Sequence, residues 1–264
     1  MRAVPSDMYC HKQDKIALEK LKAIPGFKLV LKKYMEIFQE SFMEGLNMAT
    51  KVQLSKDQMP EIYNILPPIC EILGIEEPQF YLQMDPNPNA YTMGDTIISV
   101  TVTSGLINTM TQEELKAVIA HECGHIACHH VLYHSMASIL LSAAANSFGF
   151  LTLPIELALT AWSRWSEFSA DRAAAIVMEG SEHVENTMMK LAGGLNDITQ
   201  KLNKELYMKQ AEAYQDMIDN SKWNKLMHLL ATIGNDHPLT AVRAYEINKW
   251  CKSEDFEKII EFMK

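Results

Sequence analysis

His121, Glu122 and His125 form an H-E-x-x-H pattern, and these residue types at this spacing suit one kind of chemistry. On a helix, residues four apart lie one turn along the same face, so His121 and His125 can present two imidazoles to a single ion. Two nitrogens from a rigid helix make half of a tetrahedral zinc site. Glu122, next to the first imidazole, can reach a water on the open coordination position and act on it as general base. A third protein ligand is then required, with water in the fourth position.

Histidines and carboxylates further along the chain are the candidates for that ligand. His129 follows His125 on the same face, one turn on, but three stacked turns cannot converge on one tetrahedron. Packing, or support of a ligand, is its expected role. His130 is expected to point elsewhere on the helix, and His134 lies beyond it. The better source is the stretch SRWSEFSADR, residues 163–172, on a second long helical run. Glu167 and Asp171 are again four apart, so one can ligate while the other holds a ligand imidazole in its tautomer. Glu156 is the other carboxylate in range. Near the C-terminus, Asp236-His237-Pro238 precedes a helix start, with Arg243 five residues after Pro238. His237 or Arg243 could face a developing oxyanion or the supporting carboxylates. His237 could also occupy the open metal position and silence the site.

These residues need elements to hold them. Thr111 and Glu114 form a capping box that opens a helix over about 112–130. Gly124 inside that helix costs about 1 kcal/mol against Ala, which points to close approach by a neighbour, with the sheet as candidate. Upstream, residues 80–84, 89–93 and 96–102 read as short strands. Asp85-Pro86-Asn87-Pro88 forms a turn, and Gly94-Asp95 links a hairpin. Helical patterns cover 12–24, 27–49 and 57–74, with Gly45 and Asn47 loosening the end of the second and Pro67-Pro68 kinking or splitting the third. The layout is helices, a small sheet, then helices, without repeats, linkers or charge blocks. It reads as one α+β domain over 1–264, mostly helical, with a small antiparallel sheet beside the HExxH helix. N-terminal helices occupy 1–75, the catalytic core 76–180 and C-terminal helices 181–264.

Composition narrows the function classes. The chain has 264 residues, 24 basic against 33 acidic, and a net charge of −9, which argues against a nucleic-acid binder working by bulk charge. With 48% hydrophobic residues it has ample material for a core. Five scattered cysteines make no disulfide framework, and the N-terminus lacks the apolar run of a signal peptide. A reducing, cytoplasmic location is expected. Residues 131–155 hold no Asp, Glu, Lys or Arg and are long enough to span a bilayer. They also hold His134, Asn146, Gly149, Pro154 and four serines, with no flanking basic cluster. The expectation is a buried helical hairpin. The alternative is a membrane-inserted one, in a protein facing the cytoplasm.

The residues quoted above, together with Asn89-Ala90-Tyr91-Thr92, Gly105-Leu106, Thr111–Leu115, the run HECGHIACHH and the segment DHPLTAVRA, carry a family likeness over residues 89–244. The chain resembles the HtpX-like zinc metallopeptidases, the gluzincin family that includes the CAAX prenyl proteases. The resemblance implies a zincin fold and one zinc per chain, with Glu167 as third ligand beside His121 and His125 and Asp171 behind it. It strengthens a catalytic role for His237 and Arg243 beside Glu122. It also suggests that Asn89, Ala90 and Tyr91, on an edge strand, bind extended peptide through backbone hydrogen bonds. By residue type alone they read equally as a capped edge. The implied function is a zinc-dependent endopeptidase acting on extended or unfolded polypeptides in protein quality control. The alternative is a latent or inactive zinc-binding module with a chaperone-like or interaction role.

Overall fold

The computed structural model describes residues 2–37, 40–141, 153–194, 198, 201–224 and 239–264. His11 caps helix α1 (Lys12–Lys22), its Nδ1 accepting from the Gln13 N–H. Helices α2 (Phe27–Ile37) and α3 (Glu40–Thr50) cover the predicted 27–49 stretch, apart from residues 38 and 39, which lie outside the described ones. Gly45 and Asn47 do not loosen α3. Asn47 is buried and donates to Ser99 Oγ at 3.3 Å, which ties the helix to the sheet. The predicted 57–74 helix is split into α4 (Pro60–Tyr63) and α5 (Leu66–Leu73). Pro67 and Pro68 fall in the first turn of α5, where a missing N–H leaves no intrahelical bond unmade.

The sheet comprises β1 (Val52–Gln53), β2 (Gln79–Gln83), β3 (Ala90–Met93) and β4 (Ser99–Thr103), in the order β1-β2-β4-β3. β3 and β4 form the expected antiparallel hairpin, Ala90 facing Val102 and Met93 facing Ser99. β1 is antiparallel to β2. β2 and β4, however, are parallel, Gln79 facing Ser99 and Gln83 facing Thr103. The sheet is therefore mixed, not purely antiparallel. The chain reverses after β2 and again after β3, so β4 runs in the direction of β2. Every residue of β4 is buried, which favours an inner position, and half-buried β3 is left at the edge.

Helix α6 (Ser104–Thr109) leads to α7 (Gln112–Ala127), the HExxH helix. Its capping box is formed as expected: the Thr111 N–H donates to Glu114 Oε2 at 2.7 Å and the Glu114 N–H to Thr111 Oγ1 at 3.3 Å. Then follow α8 (Val131–Leu141), α9 (Leu153–Val177), α10 (Glu182–Gly193), α11 (Lys204–Asp219), α12 (Thr240–Cys251) and α13 (Glu254–Met263). Buried Lys190 of α10 donates to the same Glu114 oxygen at 2.7 Å.

Helix α9, about 37 Å long by its rise per residue, runs through two apolar clusters. Its C-terminal half (Ala173–Val177) packs with the sheet, α5, α7, α10, α12 and α13. Its N-terminal half (Ile155, Leu159, Trp162) packs with Leu21, Phe27 and Tyr34 of α1 and α2 and with Met136 and Leu140 of α8. The buried polar residues Ser166, Glu167, Ser169 and Asp171 lie between the two. Of the 131–155 stretch, Val131, Met136, Leu140 and Ile155 are buried, Leu153 and Pro154 are exposed, and residues 142–152 lie outside the described ones. Among the described residues, no helix is long and apolar enough to cross a membrane.

Candidate metal centre

Close packing of two helices builds the site. A Cβ added at Gly124 would lie 2.7 Å from Ala173 Cβ and 3.0 Å from Ala170 Cα. Gly124 is therefore small for the sake of α9, not of the sheet. This approach sets His121 and His125 of α7 against Glu167 of α9. His121 Nε2 and His125 Nε2 are 3.2 Å apart; Glu167 Oε2 lies 3.4 Å from His121 Nε2, and Glu167 Oε1 lies 3.4 Å from His125 Nε2. A tetrahedral ion with bonds of about 2.05 Å has ligand–ligand edges of about 3.3 Å. The donor spacings are close to those edges. All three residues are buried, and their ligand atoms lie close enough together to hold one metal ion. Three buried lone-pair groups converging on one point are unfavourable without a cation between them, so the donor set fits a bound metal.

The far side of His121 is held by Asp171, whose Oδ1 is 3.0 Å from Nδ1. Arg243 of α12 grips the same carboxylate with two bonds, Nε to Oδ2 at 2.9 Å and Nη2 to Oδ1 at 2.7 Å, and sets Nη1 2.9 Å from Glu167 Oε2. Arg243 thus faces the supporting carboxylates and also borders the smaller cavity. Burial works against a charge on Asp171, but Arg243 outweighs it and holds the carboxyl below its ordinary range. Burial likewise opposes a charge on His121, yet bonds to Asp171 and Glu167 push its pKa up to about 9 without an ion. His125, with burial dominant, is shifted down.

Glu122 lies in the wall of two cavities that meet at the site. One, of about 240 Å³, is mostly apolar, with Leu106, Val184 and Met188 in its wall. The other, of about 580 Å³, is more polar and includes Tyr91, Thr92, His134 and Ser163. Asn89 and Ala90 border both and Tyr91 the second, so the predicted edge strand does flank the centre. Thr92, named in the sequence only as the end of a family-like segment and given no role there, donates to Glu122 Oε2 at 2.7 Å.

Other candidates fall elsewhere. Glu156 is eleven residues before Glu167 on the same helix, about 16 Å along its axis. The expectations for His129 and His130 are exchanged. α7 ends at Ala127 and not at 130, and His129 takes a left-handed φ of 59° with its side chain exposed. The His130 N–H then bonds the His125 carbonyl at 2.9 Å and the His129 N–H the Ile126 carbonyl at 3.0 Å, a Schellman closure. That turn swings buried His130 back beside His125, a placement that helical spacing could not reveal. His134 lies 2.8 Å from Ser166 Oγ. His237 lies outside the described residues.

Comparison with known proteins gives this geometry its context. The family model for peptidase family M48 matches residues 56–251. The chain belongs to peptidase family M48. It is accordingly a metalloprotease, a hydrolase of peptide bonds. The plastoglobule-localized metallopeptidase 48 of Arabidopsis thaliana, a chloroplastic protein, is 34% identical over 98% of this chain and 79% of its own length. A protease HtpX homolog of Campylobacter curvus is 26% identical over 84% of this chain and 80% of its own length. Protease HtpX of Legionella pneumophila is 27% identical over 69% of this chain and 73% of its own length. The expected HtpX-like family, the α+β fold and the metalloprotease activity agree with these relatives.

Proposed function

We propose that this metalloprotease is a zinc endopeptidase that cleaves extended or unfolded polypeptides, with residues 1–264 acting as one catalytic domain. The observation that carries the reading is the buried triangle of His121 Nε2, His125 Nε2 and Glu167, with spacings of 3.2 and 3.4 Å. Two imidazoles and one carboxylate suit zinc. When bound, zinc would polarise the scissile carbonyl and acidify a water. Glu122 takes the proton from that water and delivers it to the leaving amine. Thr92 holds one Glu122 oxygen and so restrains the carboxylate in the wall of the cleft. Asp171 keeps His121 in the tautomer whose Nε2 is free to ligate, and Arg243 locks Asp171. β3 ends the sheet order and borders both cavities, so a substrate strand can lie along Asn89, Ala90 and Tyr91 from one cavity to the other.

Recognition through backbone bonds selects extended chains over folded ones, which suits quality control. All five cysteines are free, as expected in a reducing compartment, and a cytoplasmic location is part of the proposal. The test is metal content and casein hydrolysis of wild type beside Glu167→Ala. One zinc per wild-type chain, lost in the variant together with phenanthroline-sensitive cleavage, is expected. Stoichiometric zinc retained by Glu167→Ala would overturn the ligand set. Equal rates on folded and unfolded casein-sized substrates would overturn the preference for extended chain.

A further inference from the structure

Asp14 belongs to α1, outside the residues 56–251 that the family model matches, yet it is buried within reach of the metal centre. Its carboxylate accepts from Trp162 Nε1 at 2.8 Å, from Ser169 Oγ at 2.6 Å and from Cys10 Sγ at 3.3 Å. Its Oδ2 also lies 2.9 Å from His130 Nε2. The other ring nitrogen, His130 Nδ1, is 3.0 Å from His125 Nδ1. The proton positions follow from this order of groups. A carboxylate only accepts, so His130 donates through Nε2. A neutral His130 then offers Nδ1 as an acceptor, and His125 must donate through its own Nδ1. That leaves a bare lone pair on His125 Nε2, the atom facing His121 and Glu167.

We propose that Asp14 and His130 are positioning residues for the metal centre, acting in series to hold His125 in its metal-binding tautomer and orientation. The proposal rests on the reading of His125 as a ligand. It gives each ligand imidazole a carboxylate anchor: Asp171 directly for His121, and Asp14 through His130 for His125. The chain turn after α7 brings His130 into line, and α1 supplies the carboxylate. Cys10, Cys128 and His130 are themselves close enough to gather around an ion. Ligation by a Cys10 thiolate would take the Cys10 Sγ donor away from buried Asp14, so the hydrogen-bonded chain is favoured.

The test measures cobalt(II) affinity by chelator competition, and the visible absorption of the cobalt-loaded protein, in wild type and four variants. Asp14→Asn and His130→Phe should each weaken binding by about 10- to 100-fold, the usual cost of losing a partner behind a ligand, and alter the cobalt spectrum. His130→Gln should bind within a few-fold of wild type, because its amide can accept from His125 and donate to Asp14. Wild-type affinity and spectrum in Asp14→Asn and His130→Phe would overturn the proposal, and so would His130→Gln binding as weakly as His130→Phe. Two ions per wild-type chain, one lost in His130→Phe, would make His130 a ligand and overturn it as well. If Asp14→Asn fails to fold, the contrast between Gln and Phe at position 130 still decides. His125→Ala guards the underlying reading: retention of the ion by that variant would sink the ligand assignment itself, whereas loss there with no effect of Asp14→Asn would sink only the proposal.

Discussion

Replacing Gly124 by Ala sets two opposing effects against each other. Alanine is the better helix former by about 1 kcal/mol, so on local grounds the variant should be more stable. The new Cβ would lie 2.7 Å from Ala173 Cβ, 3.0 Å from Ala170 Cα and 3.2 Å from the Ala170 carbonyl oxygen. Carbon atoms rest at about 3.5–4.0 Å, so α7 and α9 must part by about 0.8 Å or more. None of the three atoms belongs to a side chain that can rotate away. Overpacking of this kind costs about 1–3 kcal/mol, which leaves a net loss of up to about 2 kcal/mol and a fall of a few degrees in melting temperature. The larger effect is at the centre. Widening the His-to-Glu167 spacing of 3.4 Å by about 0.8 Å takes it well past a tetrahedral edge and beyond the tolerance of about 0.5 Å for a built site. Zinc affinity should drop about tenfold or more. The assay is zinc competition with a chromophoric chelator, run beside thermal melts of the metal-free protein. A Gly124→Ala protein at least as stable as wild type, with unchanged zinc affinity, would refute the idea that this contact sets the ligand spacing.

Glu122→Gln should lower peptide hydrolysis by about 100-fold or more while zinc content stays at the wild-type level; turnover near the wild-type rate would remove Glu122 as the base. The pKa of His121, raised from 6.5 to about 9, stabilises the metal-free fold fully below about 6.5, and that stabilisation is lost as pH rises towards about 9. The ion must displace this proton, so the rise in melting temperature on adding zinc should grow from pH 6.5 to pH 9. A zinc-induced shift that is flat or shrinking with pH would count against it. Thr111→Ala removes the hydroxyl cap of α7 and should cost about 0.5–2 kcal/mol in urea unfolding; no change in midpoint would mean that Lys190 and Glu114 hold the helix start unaided.

Local spacing along the chain determined which atoms of α7 share a face, where its capping box opens it, and that short strands lie between residues 80 and 102. Those are short-range properties: the helical repeat and the capping chemistry of Thr111 and Glu114 hold wherever the helix sits. Spacing failed where the helix ended. Extending α7 to residue 130 gave His129 and His130 each other's places, because a left-handed residue resets the direction of every side chain after it. The parallel pairing of β2 with β4 was equally out of reach, since strand order depends on which strand has both faces covered. The tertiary structure alone brought Glu167 to within 3.4 Å of two imidazoles 42 and 46 residues earlier, and Asp14 to His130 across 116 residues. Residue type says which groups can ligate or anchor. Which of them meet is decided by how closely α7 can approach α9, and there the absence of a side chain at Gly124 sets the distance.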